Sequence, residues 1–153
     1  MKKIIAAFCL LLAAGTAQVF SYGVGIQGGY GFGRGGAGAV TFKLDELPYV
    51  FAVSISGGEE VFISGTADYW FKTDTLYGPA RYFVGAGAGL AIGTGDDFFL
   101  GAAFRVPVGI NAFLVDNFVE PYIQIVPELG LSVLPHVNMT WDVGANIGVR
   151  FWF

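Results

Sequence analysis

The chain has 153 residues, of which 54% are hydrophobic, 16% aromatic and only 13% charged, and its mean hydropathy is +0.61. A water-soluble domain typically carries about 25% charged residues, so much of this surface is expected to contact something other than water. Twelve acidic residues against eight basic ones give a formal net charge of −4, which argues against nucleic acid as a partner. A chain of this length is expected to form one domain.

The N-terminal segment has the pattern of a secretory signal peptide. Lys2 and Lys3 form a basic start, positions 4–14 are apolar, and small residues at 15–17 offer a cleavage site. The apolar run is too short for a membrane-spanning helix, which needs roughly 20 residues. We therefore predict a signal peptide at 1–17 and a mature extracytoplasmic domain at 18–153.

The segment 22–36, YGVGIQGGYGFGRGG, contains the pattern G-x-G-x-x-G twice. A phosphate-binding loop of this pattern needs a strand before it and a helix after it, and neither is predicted here. The glycines alternate instead with larger apolar residues such as Val24 and Ile26. We interpret them as the small inner face and the first turn of a narrow barrel.

The mature chain alternates between apolar residues and small or polar residues with a period of two, which is typical of β-strands. Clusters of turn-forming residues separate these segments. The pattern predicts an all-β fold, an eight-stranded antiparallel up-and-down transmembrane β-barrel. The eight segments are 22–32, 40–44, 49–55, 61–71, 82–92, 98–110, 119–131 and 141–153.

Charged residues avoid the apolar faces of these segments and lie either in turns or on the opposite faces. A lipid-facing surface excludes charge, and the interior of an eight-stranded barrel is just wide enough for its own side chains. We therefore expect the apolar faces to contact lipid and the inward charges to form an interior network. Its predicted members are Lys43, Asp68, Lys72, Arg81, Arg105, Glu120, Glu128, Asp142 and Arg150, with Phe62, Trp70, Phe83, Phe99, Tyr122 and Trp152 filling gaps between glycines.

Three prolines fall inside the predicted strands, where each leaves one hydrogen bond of the strand pairing unmade because proline has no main-chain N–H donor. We expect Pro107 and Pro121 near the periplasmic rim and a β-bulge at Pro127. Aromatic residues cluster near the ends of the segments, which predicts two interfacial girdles.

With eight strands and a C-terminal phenylalanine, the chain resembles the small bacterial outer-membrane barrels of the OmpX and OmpA transmembrane type over its whole mature length. The resemblance implies that Ile147, Val149, Phe151 and Phe153 form the signal read by the barrel-assembly machinery. Four stretches further resemble a poorly characterised family of small spirochaete outer-membrane barrels, which implies no enzyme activity. These stretches are ADYWF at 67–71, RVPVGINAF at 105–113, VEPYIQIVPELGL at 119–131 and GVRFWF at 148–153.

Catalysis and metal binding find little support in the sequence. His136 is the single histidine, and its neighbourhood offers Thr140 but no adjacent serine, whereas an outer-membrane hydrolase or acyltransferase needs a nucleophile beside a base. The adjacent acidic pairs at 59–60 and 96–97 lack the alternating oxygen ligands of a calcium loop. We expect no catalytic site, no metal site, no cofactor and no enzyme activity.

The sequence thus predicts an integral protein of the cell outer membrane whose polar, salt-bridged interior is plugged, with both termini in the periplasm. Its expected partners are outer-membrane lipid and the barrel-assembly machinery, an extracellular ligand stays open, and a monomer is expected. The role is structural or one of surface interaction. A narrow pore and a secreted soluble barrel that binds an apolar ligand are the alternatives.

Overall fold

The computed structural model of the chain describes residues 21–31, 35–57, 61–94, 98–134 and 136–153. The predicted signal peptide and the acidic pairs at 59–60 and 96–97 lie outside them. The described residues form nine β-strands, and none of their segments is a helix long and apolar enough to cross a membrane. The strands are β1 (Tyr22–Gly31), β2 (Gly35–Leu44), β3 (Tyr49–Gly57), β4 (Val61–Tyr77), β5 (Ala80–Thr94), β6 (Phe98–Arg105), β7 (Val108–Ala112), β8 (Val119–Leu134) and β9 (Asn138–Trp152).

The strands form one antiparallel sheet that closes on itself. Strands β1 to β5 pair in chain order, and β9 pairs with both β8 and β1. Strands β6 and β7 both lie between β5 and β8, so the nine strands occupy eight positions of the ring. The predicted eight-stranded antiparallel barrel is therefore confirmed, with β6 and β7 together forming the sixth predicted segment.

The register of the sheet fixes the tilt of the strands. From Arg150 on β9, paired residues lead around the ring back to β9 at Thr140, ten residues away. A stagger of this size in an eight-stranded barrel goes with a strand tilt of about 40° and an interior that side chains fill. The path runs from Arg150 through Gly25, Thr41, Ala52, Thr66, Gly89, Ala103 and Gly130 to Thr140.

Two neighbouring prolines explain the break between β6 and β7. Pro107 accepts a hydrogen bond from the Gly85 amide at 2.8 Å, and Pro127 accepts one from the Val106 amide at 3.0 Å. Neither proline can donate the reciprocal bond. The register nevertheless stays continuous, because Pro127 pairs regularly with Val143. The prediction of a bulge at Pro127 was wrong.

A register shift does occur in β4, at Phe71. Trp70 pairs with Gly85 but Lys72 pairs with Val84, so Phe71 is an extra residue on its strand. A bulge of this kind exchanges the faces of the residues that follow it. The Lys72 side chain is accordingly 54% exposed and lies 3.9 Å from the Asp74 carboxylate, so its predicted place inside the barrel was wrong.

Lys72 lies at one end of the barrel rather than in the middle of its wall. Strand β3 begins at Tyr49, opposite Tyr69, so the part of the β4–β5 hairpin that contains Lys72 extends past the end of β3. It lies at the rim where Tyr22 pairs with Phe153. We call this end of the barrel the terminal rim.

The apolar residues of each strand lie on the outside of the barrel and the small or polar residues on the inside. In β3, for example, Phe51, Val53 and Ile55 are exposed, whereas Val50 is buried. Aromatic rings line the terminal rim, where Tyr22 contacts Phe153 with ring centroids 5.8 Å apart. The direction of the apolar faces thus agrees with the sequence pattern.

Inward glycines of β1 make room for large side chains of β9. A Cβ atom on Gly25 would collide with the main-chain oxygen of Val149 and would lie 2.6 Å from Cγ of Arg150, whereas one on Gly28, on the other face, would meet nothing within 4 Å. Overpacking of this kind typically costs about 1–3 kcal/mol. We predict that Gly25→Ala lowers the free energy of unfolding by that amount and that Gly28→Ala leaves it unchanged.

Urea titration of the two variants in the same lipid vesicles measures this difference, because the substitutions are chemically identical and lie on one strand. Equal stability of the two variants would contradict the assignment of Gly25 to the crowded inner face.

Candidate functional site: the charged barrel interior

The first group of interior charges joins three strands. The Arg105 Nε atom lies 3.0 Å from Oδ1 of Asp68, and its Nη1 atom lies 3.6 Å from Oε1 of Glu128. Arg105 is paired across the strands with Glu128 on one side and with Gly87 on the other. Gly87 has no side chain, so Arg105 reaches across β5 to Asp68, and a Cβ atom on Gly87 would collide with that carboxylate.

The second group is centred on Glu120, whose side chain is fully buried at 0% exposure. Its Oε1 accepts a hydrogen bond from the Asn111 amide at 2.6 Å, and its Oε2 accepts one from the Trp152 indole at 2.8 Å. The same Oε2 lies 3.3 Å from Nε of Arg150, whose side chain is 1% exposed. The carboxylate therefore has one charged and two neutral partners, as a buried ion requires.

Arg150 is held by rings as well as by Glu120. Its guanidinium carbon lies 4.3 Å from the ring centroid of Tyr122 and 5.0 Å from that of Trp70. Its Nη1 atom has no hydrogen-bond partner in the described part of the chain. Cation–π attraction is strongest for such a desolvated cation, and it offsets part of the missing hydrogen bonding.

Lys43 and Arg81 lie nearer the terminal rim. The Lys43 ammonium is 5.6 Å from the ring centroid of Trp70 and 5.1 Å from that of Trp152. The guanidinium carbon of Arg81 is 4.9 Å from the ring centroid of Phe113, and this arginine is exposed. Both cations lie beside aromatic rings, and Lys43 is within electrostatic range of Glu120 and Arg150 without a direct salt bridge to them.

The predicted network is therefore divided. The structure brings Asp68, Arg105 and Glu128 together, and separately Glu120 and Arg150. Asp142 is paired in register with Glu128, and its Oδ1 accepts a hydrogen bond from the Val143 amide. Lys43 and Arg81 contact rings, and Lys72 lies outside the barrel, so Lys72 is the predicted member that the structure removes from the interior.

Aromatic side chains cross the interior between the charged groups. Trp70 stacks on Phe83 with ring centroids 3.8 Å apart and an interplanar angle of 8°, and both residues are buried. Phe62 meets Phe99 edge to face at 5.4 Å. The four residues come from the inward-facing positions at which the sequence predicted large gap-filling side chains.

Polar but uncharged residues of the interior, such as Asn111 and Gln27, do not stand out in the charge pattern of the sequence. Asn111 is buried and donates to Glu120, and Gln27 accepts a hydrogen bond from the Tyr122 hydroxyl at 2.9 Å. The signal was available, because both residues stand on the inner face of alternating strands. The charge pattern alone does not identify them, because neither residue is charged.

His136 and the acidic side chains of the described residues do not come together as a metal site. No group of three or more His, Asp or Glu side chains in the described residues could hold a metal ion. His136 is exposed, and its main-chain carbonyl accepts a hydrogen bond from Ser132. The contacts observed in the described interior are ion pairs, hydrogen bonds and aromatic packing.

Comparison with known proteins identifies the fold but no family. No protein-family model matches the chain, and no curated protein matches it. Among solved structures the barrel is similar to the N-terminal β-barrel domain of OprF from Pseudomonas aeruginosa, with a TM-score of 0.60 and 15% identity. The match covers 87% of this chain and 97% of that domain. The chain therefore has the fold of an OmpA-type barrel domain.

Proposed function

We propose that this chain is an integral outer-membrane β-barrel whose interior is plugged by salt bridges and aromatic rings, with a structural or surface-interaction role and no enzyme activity. The observation that carries the proposal is the outer face of the barrel. Large apolar side chains are exposed around it, among them Ile26, Val53 and Leu90. Soluble monomers rarely expose contiguous apolar patches beyond a few hundred Å².

The closed ring supports the same conclusion from the backbone. Hydrocarbon offers no hydrogen-bond partner, so a sheet can cross it only when no strand edge is left unpaired. Here β1 pairs with β9 and β4 with β5, which closes the ring. The similarity to the barrel domain of OprF supports an outer-membrane location.

Further parts of the proposal come from the sequence. The signal peptide at 1–17 would direct export, and both chain ends would lie in the periplasm. Ile147, Val149, Phe151 and Phe153 would be read by the barrel-assembly machinery, and β9, which carries three of them, forms the seam with β1. We also propose that the chain belongs to the family of small spirochaete outer-membrane barrels.

Solvent preference tests the membrane assignment. We expect the purified chain to fold only in detergent or lipid vesicles, to migrate faster on a gel before heating than after it, and to fractionate with the outer membrane. A compact, stable monomer in plain buffer would overturn the proposal and favour a soluble ligand-binding barrel.

We expect the folded barrel to show negligible conductance in planar bilayers, because Trp70, Phe83 and the two salt-bridged groups occupy its interior. Phe83→Ala would remove a fully buried ring that stacks on Trp70. We expect this variant to show more frequent openings than the parent chain.

The matched control is Phe71→Ala, which removes an exposed ring from the outside of the barrel and is expected to leave the conductance unchanged. Stable, discrete openings of the parent chain would contradict a plugged interior and favour a narrow pore.

A further inference from the structure

A recess of about 280 Å³ opens at the terminal rim, apart from the two salt-bridged groups. A water molecule occupies about 30 Å³ in the liquid, so the recess has room for one small organic molecule. Its walls combine two charged residues, two neutral polar residues and two aromatic rings. They are Ser21, Asp45, Arg81, Phe113, Asn117 and Trp152.

The two charged walls carry opposite charges that do not satisfy each other. The salt bridges between described side chains join other residues, so Asp45 and Arg81 are not within salt-bridge distance. Arg81 contacts the Phe113 ring, and the Asp45 main-chain amide donates to Ser21 at 3.0 Å. The backbone contact holds the Asp45 turn beside Ser21, and the Asp45 carboxylate lies within electrostatic range of the Lys43 ammonium without forming a direct salt bridge with it.

Two aromatic rings line the recess together with these charges. The rings of Phe113 and Trp152 are 5.8 Å apart. The indole of Trp152 is held by its hydrogen bond to Glu120, and the Lys43 ammonium lies 5.1 Å from the Trp152 ring. The apolar floor of the recess is therefore positioned by the buried network beneath it.

The turn that carries Asn117 into the recess has an unusual backbone. Val115, Asp116 and Asn117 have φ values of 53°, 53° and 68°, a region that β-branched residues such as valine rarely adopt. Residues in sparsely populated regions cost on the order of 1–3 kcal/mol each, and such strain concentrates at functional sites. Hydrogen bonds between Leu114 and Val119, at 2.9 and 3.1 Å, hold the turn in place.

We infer that this recess binds a small zwitterion of the amino-acid class that has an apolar side chain. Its carboxylate pairs with Arg81, its ammonium group pairs with Asp45, and its apolar part rests against Phe113 and Trp152. Guanidinium groups bind carboxylates through paired hydrogen bonds, and an ammonium group near an aromatic face gains cation–π attraction. A ligand with both charges can pair with Arg81 and with Asp45, whereas a ligand with one charge can pair with only one of these walls.

The experiment uses L-phenylalanine as the probe and the folded full barrel in detergent micelles as the target. The indole N–H resonances of the three tryptophans are recorded by NMR and assigned by single Trp→Phe variants. We expect saturable shifts of the Trp152 resonance, with the Trp141 resonance unmoved because that side chain is on the exposed outer face. Phenylacetate and phenethylamine, which each keep one of the two charges, are expected to bind more weakly.

Two variants test the two charged walls separately. Arg81→Gln and Asp45→Asn are each expected to weaken binding of L-phenylalanine by roughly fivefold, the upper range for one exposed ion pair. Lys72→Gln is the matched control, since Lys72 lies at the same rim but pairs with Asp74 outside the recess. Both charged positions are exposed, so the variants should fold, which heat-dependent gel mobility verifies.

Several outcomes overturn the inference. One is an unmoved Trp152 resonance at saturating probe. Phenylacetate binding as tightly as L-phenylalanine would show a simple anion site, and phenethylamine binding as tightly would show a cation site. An equal loss of affinity in Lys72→Gln would show a non-specific effect of charge.

Discussion

Replacing Glu120 with alanine is expected to destabilise the folded barrel by about 3–5 kcal/mol, because the substitution leaves the Arg150 charge buried without its counter-ion. Arg150 is 1% exposed, and Glu120 is its salt-bridge partner. The same substitution removes the acceptor of the Asn111 and Trp152 hydrogen bonds. The measurement is the free energy of unfolding from urea titration in lipid vesicles.

Glu128→Ala is the matched control inside the same barrel. Glu128 is the more distant of the two carboxylates that contact Arg105, at 3.6 Å against 3.0 Å for Asp68. Arg105 therefore keeps a close counter-ion when Glu128 is removed, and the loss of stability should be clearly smaller. Equal losses of stability in Glu120→Ala and Glu128→Ala would contradict the prediction that leaving Arg150 without its counter-ion is the more costly change.

A double variant separates the charge effect from the packing effect. Replacing a buried ion pair with apolar residues of similar size is often neutral or stabilising. Glu120→Leu combined with Arg150→Met should therefore recover much of the stability that Glu120→Ala loses. A double variant as unstable as the single one would show that the lost hydrogen bonds and packing, rather than the unpaired charge, dominate.

The sequence was sufficient to predict which way most residues face. Alternation with a period of two depends only on local backbone geometry, so the outward direction of Val53 and the inward direction of Arg150 follow without knowledge of any pairing. The number of strand positions around the barrel was predictable as well, because each alternating segment occupies one of them. The two prolines split one predicted segment into β6 and β7 without adding a position.

The grouping of the charges was not predictable, because it depends on the register between strands. Arg105 meets Asp68 only because Gly87 is the residue that stands between them on β5. A shift of two residues would keep every side chain on its face and change every partner. Lys72 was misassigned for a related reason, since the alternation is counted along the strand and one extra residue at Phe71 reverses it.

A charge placed on the outer face is the sharpest test of what surrounds the barrel. Val53 is the central residue of β3, its side chain is 63% exposed, and its neighbours in the pairing are Val40 and Gly65. In a bilayer, arginine on the lipid face near the midplane costs about 2–4 kcal/mol, falling to about 0–1 kcal/mol near the interfaces. On the surface of a soluble protein a substitution of this kind usually stays within about 0.5 kcal/mol.

We therefore expect Val53→Arg to lower the free energy of unfolding in lipid vesicles by about 2–4 kcal/mol. Phe71→Arg is the matched control, because Phe71 is similarly exposed at 58% but lies at the terminal rim, where the cost should be small. Both positions are exposed, so neither substitution loses much packing. A difference in the free energy of unfolding between the two variants therefore reports the depth of each position in the bilayer. If the two variants were equally stable, hydrocarbon would not surround the middle of the barrel, and the exposed apolar face would need another partner.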